Sequence, residues 1–417
     1  MASSQPDADA AAQHGLRWLL AAVVGTALLF ASDLLVPPAS APFRGHGVRF
    51  HNMADAPFAF AGEFPQRILW PLLAWLFGKV GISTLQFSSI CNGALLATVF
   101  WFAHRRTQSF VSALFVASAI AVSGVVLVYK PMMCFSDTLN LLLMVLLLHF
   151  ADRAKVFWPL VVLTAFSHEL VFFFSPWLVY LRLCNGGRLL PEIARWGVCL
   201  LIYGGFRIIL KLTGNTGPYD AQYYFDNAIW VPWALPAIWM LWGFVVMVEF
   251  GPLLVAMFFA GKQGALARPS GMGGRWWSLL YWPSLLSLML LAYDVMRFAP
   301  LIFPPVLLGL LALVARRGGH LLVLGLIVVQ GVSYALLHPV PSEQGGRHFT
   351  EISGHVLANI GLLTTRQPGD AYTFVATLLG LFWSYALVAA VALVAFVLLG
   401  RWLARGSYDG TDSPHSS

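Results

Sequence analysis

The chain has 417 residues, of which 59% are hydrophobic and only 10% charged, with a mean hydropathy of +0.75 and a formal charge of +7. Apolar runs recur along most of this length and show no alternating ten-residue pattern, which excludes both a soluble domain and a β-barrel. The basic residues gather at the ends of apolar runs, a sign of membrane topology rather than of a nucleic-acid partner.

Residues 1–15 are polar as far as His14 and read as a disordered cytoplasmic N-terminus. Residues 16–36 are too long for a signal-peptide core, lack a basic start and are followed by Pro37 and Pro38, so they read as a retained first span. Further spans are predicted near 84–104, 109–129, 137–151, 196–213, 232–261, 276–293, 298–315, 321–337 and 373–400. Residues 68–83 would cover about 24 Å as a helix against a hydrocarbon core of about 30 Å, and are expected to lie on or dip into the outer face. In residues 156–183 the polar triplet Ser167-His168-Glu169 interrupts an aromatic and apolar run, which predicts two short helices meeting at a polar tip.

Arg105 and Arg106, Arg153 and Lys155, Arg182 and Arg188, Arg316 and Arg317, and Arg401 and Arg405 then mark cytoplasmic ends, with both termini inside. The expected fold is all-α: a polytopic integral membrane helical bundle of about 10–12 transmembrane segments with broken or re-entrant helices, forming one membrane domain over 16–405. Outer loops are expected at 37–67, 214–229 and 338–371, and a disordered cytoplasmic tail at 406–417. Cys91, Cys134, Cys184 and Cys199 are scattered without CxxC spacing and read as packing residues.

The first outer loop concentrates the polar chemistry. His46, Arg49, His51, Asp55, Glu63, Gln66 and Arg67 offer bases, donors to sugar hydroxyls and cations for phosphate, although a solvated loop with ordinary ion pairs has the same composition. Asp137 opens the run TLNLLLMVLLL and suits either a helix N-terminus or a cavity wall. His168 and Glu169 inside an apolar hairpin need a partner or a wet cavity. Asp294 and Arg297 are i,i+3 neighbours, which fits an ion pair as well as a phosphate held by Arg297. Glu249 has no obvious local partner, and the second outer loop, with Tyr219, Asp220, Tyr223 and Asp226, suits carbohydrate or an interfacial aromatic belt. The third, with Glu343, Arg347, His348 and Glu351, can close over a substrate or simply cap the surface. No ligand spacing specifies a metal, and dependence on a divalent ion is left open.

The order of parts resembles the GT-C-type polytopic membrane glycosyltransferases and their bacterial relatives. A first span leads into FRGHGVRFHNMADAPFAFAGEFPQRILWPLLAW, then SDTLNLLL entering a span, SHELVFFFSPW in a broken helix, and YDVMRFAPLIFPP. The resemblance implies transfer of sugar from a polyprenyl-phosphate donor to a glycan or lipid acceptor at the outer face of the bacterial inner membrane, in envelope or polysaccharide assembly. It also implies Asp55 or Glu63 as the acidic residue near the acceptor, and a donor phosphate at Arg67 or Arg297, among substrate-binding groups His51, Gln66, Arg67, Asp137, His168, Glu169, Asp294 and Arg297. One departure is visible: bacterial relatives carry an aspartate in a GYDGQFYY-like stretch, where this chain has GHGVRFHN with Gly47 near that place. Two other readings stand beside this one, a transporter or lipid flippase with His168, Glu169 and Glu249 lining its alternating-access pathway, and a noncatalytic membrane scaffold.

Overall fold

The computed structural model describes residues 5–42, 46–59, 64–215, 243, 245–257, 276–291, 295–316 and 318–337. Every regular element among them is helical. The expected span 373–400, loop 338–371, tail 406–417 and loop 214–229 beyond Asn215 lie outside the described residues.

Helix α1 runs over Gln5–Asp33 and so begins inside the segment expected to be disordered. Ala8, Ala10, Ala11 and Ala12 favour helix, Pro6 fits the first turn, and Asp7 and Asp9 lie near the positive end of the helix dipole. Its apolar part, Gly15–Asp33, is one of three stretches among the described residues long and apolar enough to cross a membrane, with α4 (Thr84–Thr107) and α10 (Leu189–Leu212). The shorter apolar helices among the described residues have 10–17 residues. α1 packs on α4 through Gly25, where a Cβ would lie 2.6 Å from the Ala97 nitrogen and 2.7 Å from the Gly93 oxygen. The small residues at the crossing let the two backbones touch.

Between them, α2 (His46–Asp55) and α3 (Leu69–Gly78) fold the first loop into a cap. α3 spans only about 15 Å, in keeping with the short element expected over 68–83. The cap has its own core, in which Phe50 stacks on Phe64 at 5.7 Å and Trp70 meets Phe87 of α4 edge-on at 5.5 Å. The loop is therefore packed on its inner side and wet only at its rim.

The span expected over 109–129 is broken into α5 (Phe110–Ala121) and α6 (Gly124–Leu127). Ser123 causes the break: its hydroxyl donates to the Ile120 carbonyl at 2.7 Å and accepts from the Val125 N–H at 3.3 Å, closing one helix and capping the next. α7 (Asp137–His149) follows, then α8 (Ala154–Ser167). His168 leaves helical geometry at φ −159°, ψ 124°, and a 3-10 turn over Glu169–Phe174 leads into α9 (Ser175–Cys184), so the hairpin breaks at its polar triplet as expected.

α10 begins at Leu189, ahead of the expected 196, because the charge of Glu192 is neutralised locally. Its carboxylate accepts from Trp158 Nε1 at 2.5 Å, Arg195 at 2.7 Å and Arg182 at 3.1 Å. The span expected over 232–261 changes from α-helix to a 3-10 turn at Gly251–Ala256, opened by Pro252. α11 (Trp276–Leu291) packs against α9, and α12 (Val295–Phe298) leads through a 3-10 turn at Ala299–Ile302 to α13 (Phe303–Val314). α13 and α14 (Gly319–Leu337) both pack on α5.

Candidate functional site

The break after α8, the entry to α7, the chain ahead of α3 and α12 bring four charged side chains and one histidine together. Arg67 donates to Glu169 through Nε at 2.9 Å and Nη2 at 2.7 Å, a two-pronged pair. Arg297 donates to the Asp137 carboxylate through Nε at 3.1 Å and Nη2 at 2.9 Å. His168 stands between the pairs, with Nε2 3.7 Å from Asp137 and Nδ1 3.7 Å from Glu169. Asp137, expected as a possible helix cap, thus pairs with Arg297 across the fold. Asp294 lies outside the described residues.

Aromatic faces complete the coordination of both arginines. The Arg67 guanidinium sits 4.5 Å from the Phe64 ring centre and that of Arg297 4.5 Å from Phe135, which suits weakly hydrated planar cations. Arg67, Asp137, His168 and Arg297 are buried, while the Glu169 side chain keeps 22% exposure and is the network's opening to the outside. Two guanidiniums and two carboxylates cancel when the imidazole is neutral, so the cluster can persist in a low-dielectric interior.

Backbone contacts fix the frame. The Ser167 hydroxyl donates to the Ser136 carbonyl at 3.2 Å, tying the break to the start of α7, and the Tyr129 hydroxyl donates to the Arg297 carbonyl at 2.8 Å. The Leu170 N–H points at His168 Nδ1 at 3.4 Å, which assigns the ring proton to Nε2. That Nε2 is buried and has no hydrogen-bond partner among the described residues. An orphaned buried donor costs about 1–3 kcal/mol, a cost tolerated where a ligand or reaction uses the group.

The remaining candidates lie elsewhere. Gln66 is buried next to Arg67 in the chain. His51 and Asp55, on α2, line a separate cleft, with His51 Nδ1 2.6 Å from the Thr84 hydroxyl and Asp55 exposed. Glu63, the second acidic candidate, lies outside the described residues. Glu249 is buried apart from the network, packed on Gly124, where a Cβ would lie 2.5 Å from its own Cβ, and Gln330 donates to its carbonyl at 3.1 Å.

Sequence reasoning missed the buried pair of Lys130 with Asp33, in which the ammonium also donates to the Leu29 carbonyl at 3.1 Å. Burial pulls the Lys130 pKa below its usual value and Asp33 opposes the shift. A carboxylate at the end of an apolar span was the signal available. Among the described residues no group of three or more His, Cys, Asp or Glu side chains can hold a metal, and the described cysteines are free. No protein-family model, curated protein or solved structure matches the chain.

Proposed function

We propose that this chain is a polytopic inner-membrane protein of about 10–12 passes that transfers a sugar from a polyprenyl-phosphate donor at the outer face, in bacterial envelope or polysaccharide assembly. The observation that carries the reading is the meeting of Arg67, Asp137, His168, Glu169 and Arg297, drawn from four separate stretches of chain, in one buried cluster. Scaffolding alone gives no reason to place an unpartnered imidazole N–H between two ion pairs.

In this reading each arginine is held ready by a carboxylate, and a lipid phosphate gains its cation by exchanging with that carboxylate. Glu169 is the exchangeable one, because it is the only exposed member of the cluster. The His168 Nε2–H, on the Asp137 side of the ring, donates to an oxygen of the lipid-linked donor that reaches the Arg297 pair. Asp55 or Glu63 accepts the proton of the acceptor hydroxyl as its oxygen bonds to the anomeric carbon, the carbon–oxygen bond to the phosphate breaks, and polyprenyl phosphate leaves with the electron pair. Among the described residues, three long apolar helices and seven shorter ones, several joined at breaks, support the multi-pass architecture.

The test is transfer by the purified protein in lipid nanodiscs from radiolabelled polyprenyl-phosphate sugars, with and without divalent metal. Product that disappears in folded Asp55→Asn or Glu63→Gln protein supports the reading and ranks the two acids. A folded protein that turns over none of the donors overturns it. The second reading, a transporter or lipid flippase, is favoured by Glu249, a carboxylate buried at 0% exposure in a different part of the bundle.

A further inference from the structure

The cap formed by α2 and α3 encloses, with the start of α4, a cleft of about 490 Å³ that is separate from the ion-pair cluster. This volume lies within the roughly 300–1,000 Å³ usual for small-molecule sites. Its lining includes the small residues Ala54, Ala74, Gly78 and Gly81. A Cβ placed on Gly78 would meet no atom within 4 Å, so the space beside it is open.

The walls combine an aromatic face with polar groups of both signs. Trp75 is half-buried and braced edge-on by Phe58 at 5.7 Å. The exposed Lys79 ammonium lies 4.7 Å from the Trp75 ring centre, a contact worth about 0.5–1 kcal/mol at an exposed site, which an arriving ring can displace. The lining also includes His51 and Asp55, one helical turn apart on α2 and therefore on one face. The Thr84 hydroxyl holds His51 Nδ1, which leaves Nε2 as the ring nitrogen able to meet a ligand. Asp55 and Lys79 form no ion pair with each other or with any described residue.

One carboxylate and one ammonium cancel, so the cleft carries no net charge to recruit a phosphate or another anion. An aromatic face suits the C–H face of a sugar ring, while a carboxylate, an imidazole, an ammonium and a hydroxyl can each pair with a ring hydroxyl. We propose that this cleft binds an uncharged pyranose, as a free glycoside or a glycan end, with its ring on Trp75 and its hydroxyls on Asp55 and His51. Calling that sugar the acceptor rests on the transferase reading above; the binding itself does not.

The experiment is saturation-transfer NMR of the full-length protein in nanodiscs against methyl glycosides of glucose, galactose, mannose and N-acetylglucosamine. Gly78→Leu adds bulk to the lining at a position whose Cβ meets no atom within 4 Å, and Trp75→Ala removes the aromatic face. At least one glycoside is expected to bind, with affinity lowered tenfold or more in each folded variant. No binding of any glycoside by wild-type protein, or binding that survives Gly78→Leu unchanged, overturns the proposal. Glycoside binding lost in Gly78→Leu, without transfer from any lipid-linked donor, upholds the cleft and removes the transferase; transfer that is indifferent to Gly78→Leu does the reverse.

Discussion

Arg67 and Glu169, 102 positions apart in the chain, are joined by two hydrogen bonds of 2.9 and 2.7 Å, and this pair clamps the first loop to the break after α8. The loop carries the cap and its cleft, and the break carries His168.

Removing one partner takes a two-pronged ion pair out of a largely buried site. Arg67→Met or Glu169→Leu alone should each cost about 3–5 kcal/mol, whereas the double variant should recover most of that loss. Thermal unfolding of the four proteins in nanodiscs reads the cycle. Single variants as stable as wild type would show that the clamp contributes nothing to the fold.

His168 separates a structural from a ligand-facing role. Asparagine keeps an acceptor for the Leu170 N–H and removes the Nε2–H, so His168→Asn should stay within about 1 kcal/mol of wild-type stability. The lost hydrogen bond to a charged phosphate, worth about 1.5–3 kcal/mol, should raise KM for the lipid-linked donor about ten- to hundredfold. A variant that unfolds, or one with unchanged KM, removes the ligand-facing role.

At the other cluster, Glu192 is 1% exposed and accepts from Trp158, Arg182 and Arg195. Glu192→Ala should cost about 3–5 kcal/mol because it leaves the buried Arg182 without its carboxylate. Arg195→Ala should cost less than about 1 kcal/mol, since Arg195 is 47% exposed and Arg182 still pairs with the acid. Equal losses in the two variants would contradict this division.

A Cβ on Gly124 would lie 2.5 Å from the Glu249 Cβ and 2.6 Å from its Cγ and Oε2, so Gly124→Ala should cost about 1–3 kcal/mol by overpacking. Glu249→Ala should relieve that loss only in part, because alanine removes Cγ and the carboxylate but keeps the Cβ. Full relief by Glu249→Ala would place the conflict at the carboxylate and strengthen a functional role for it.

Much of the architecture was legible because apolar length and charge position are local signals. The entry to α7 at Asp137, the short element α3 and the break at Ser167-His168-Glu169 all appear where the residues place them. The helix over 5–14 was missed because polarity was read as disorder although alanines dominate it. The interruption at Ser123 was missed because the apolar run continues across it, and only the serine's own hydrogen bonds show the stop.

For the candidate site, the sequence by itself determined which groups are costly in an apolar setting: Asp137, His168, Glu169 and Arg297 each had to find a partner or water. The tertiary structure alone decided the pairing. Asp137 holds the Arg297 guanidinium from 160 positions away, and Arg67 takes Glu169 across 102. The physical reason is that burial penalises an unpaired charge wherever its partner lies in the chain, while spacing reports only on neighbours along one helix. Which side chains share a cleft is likewise a property of packed helices, and no residue in α2 or α3 announces it alone.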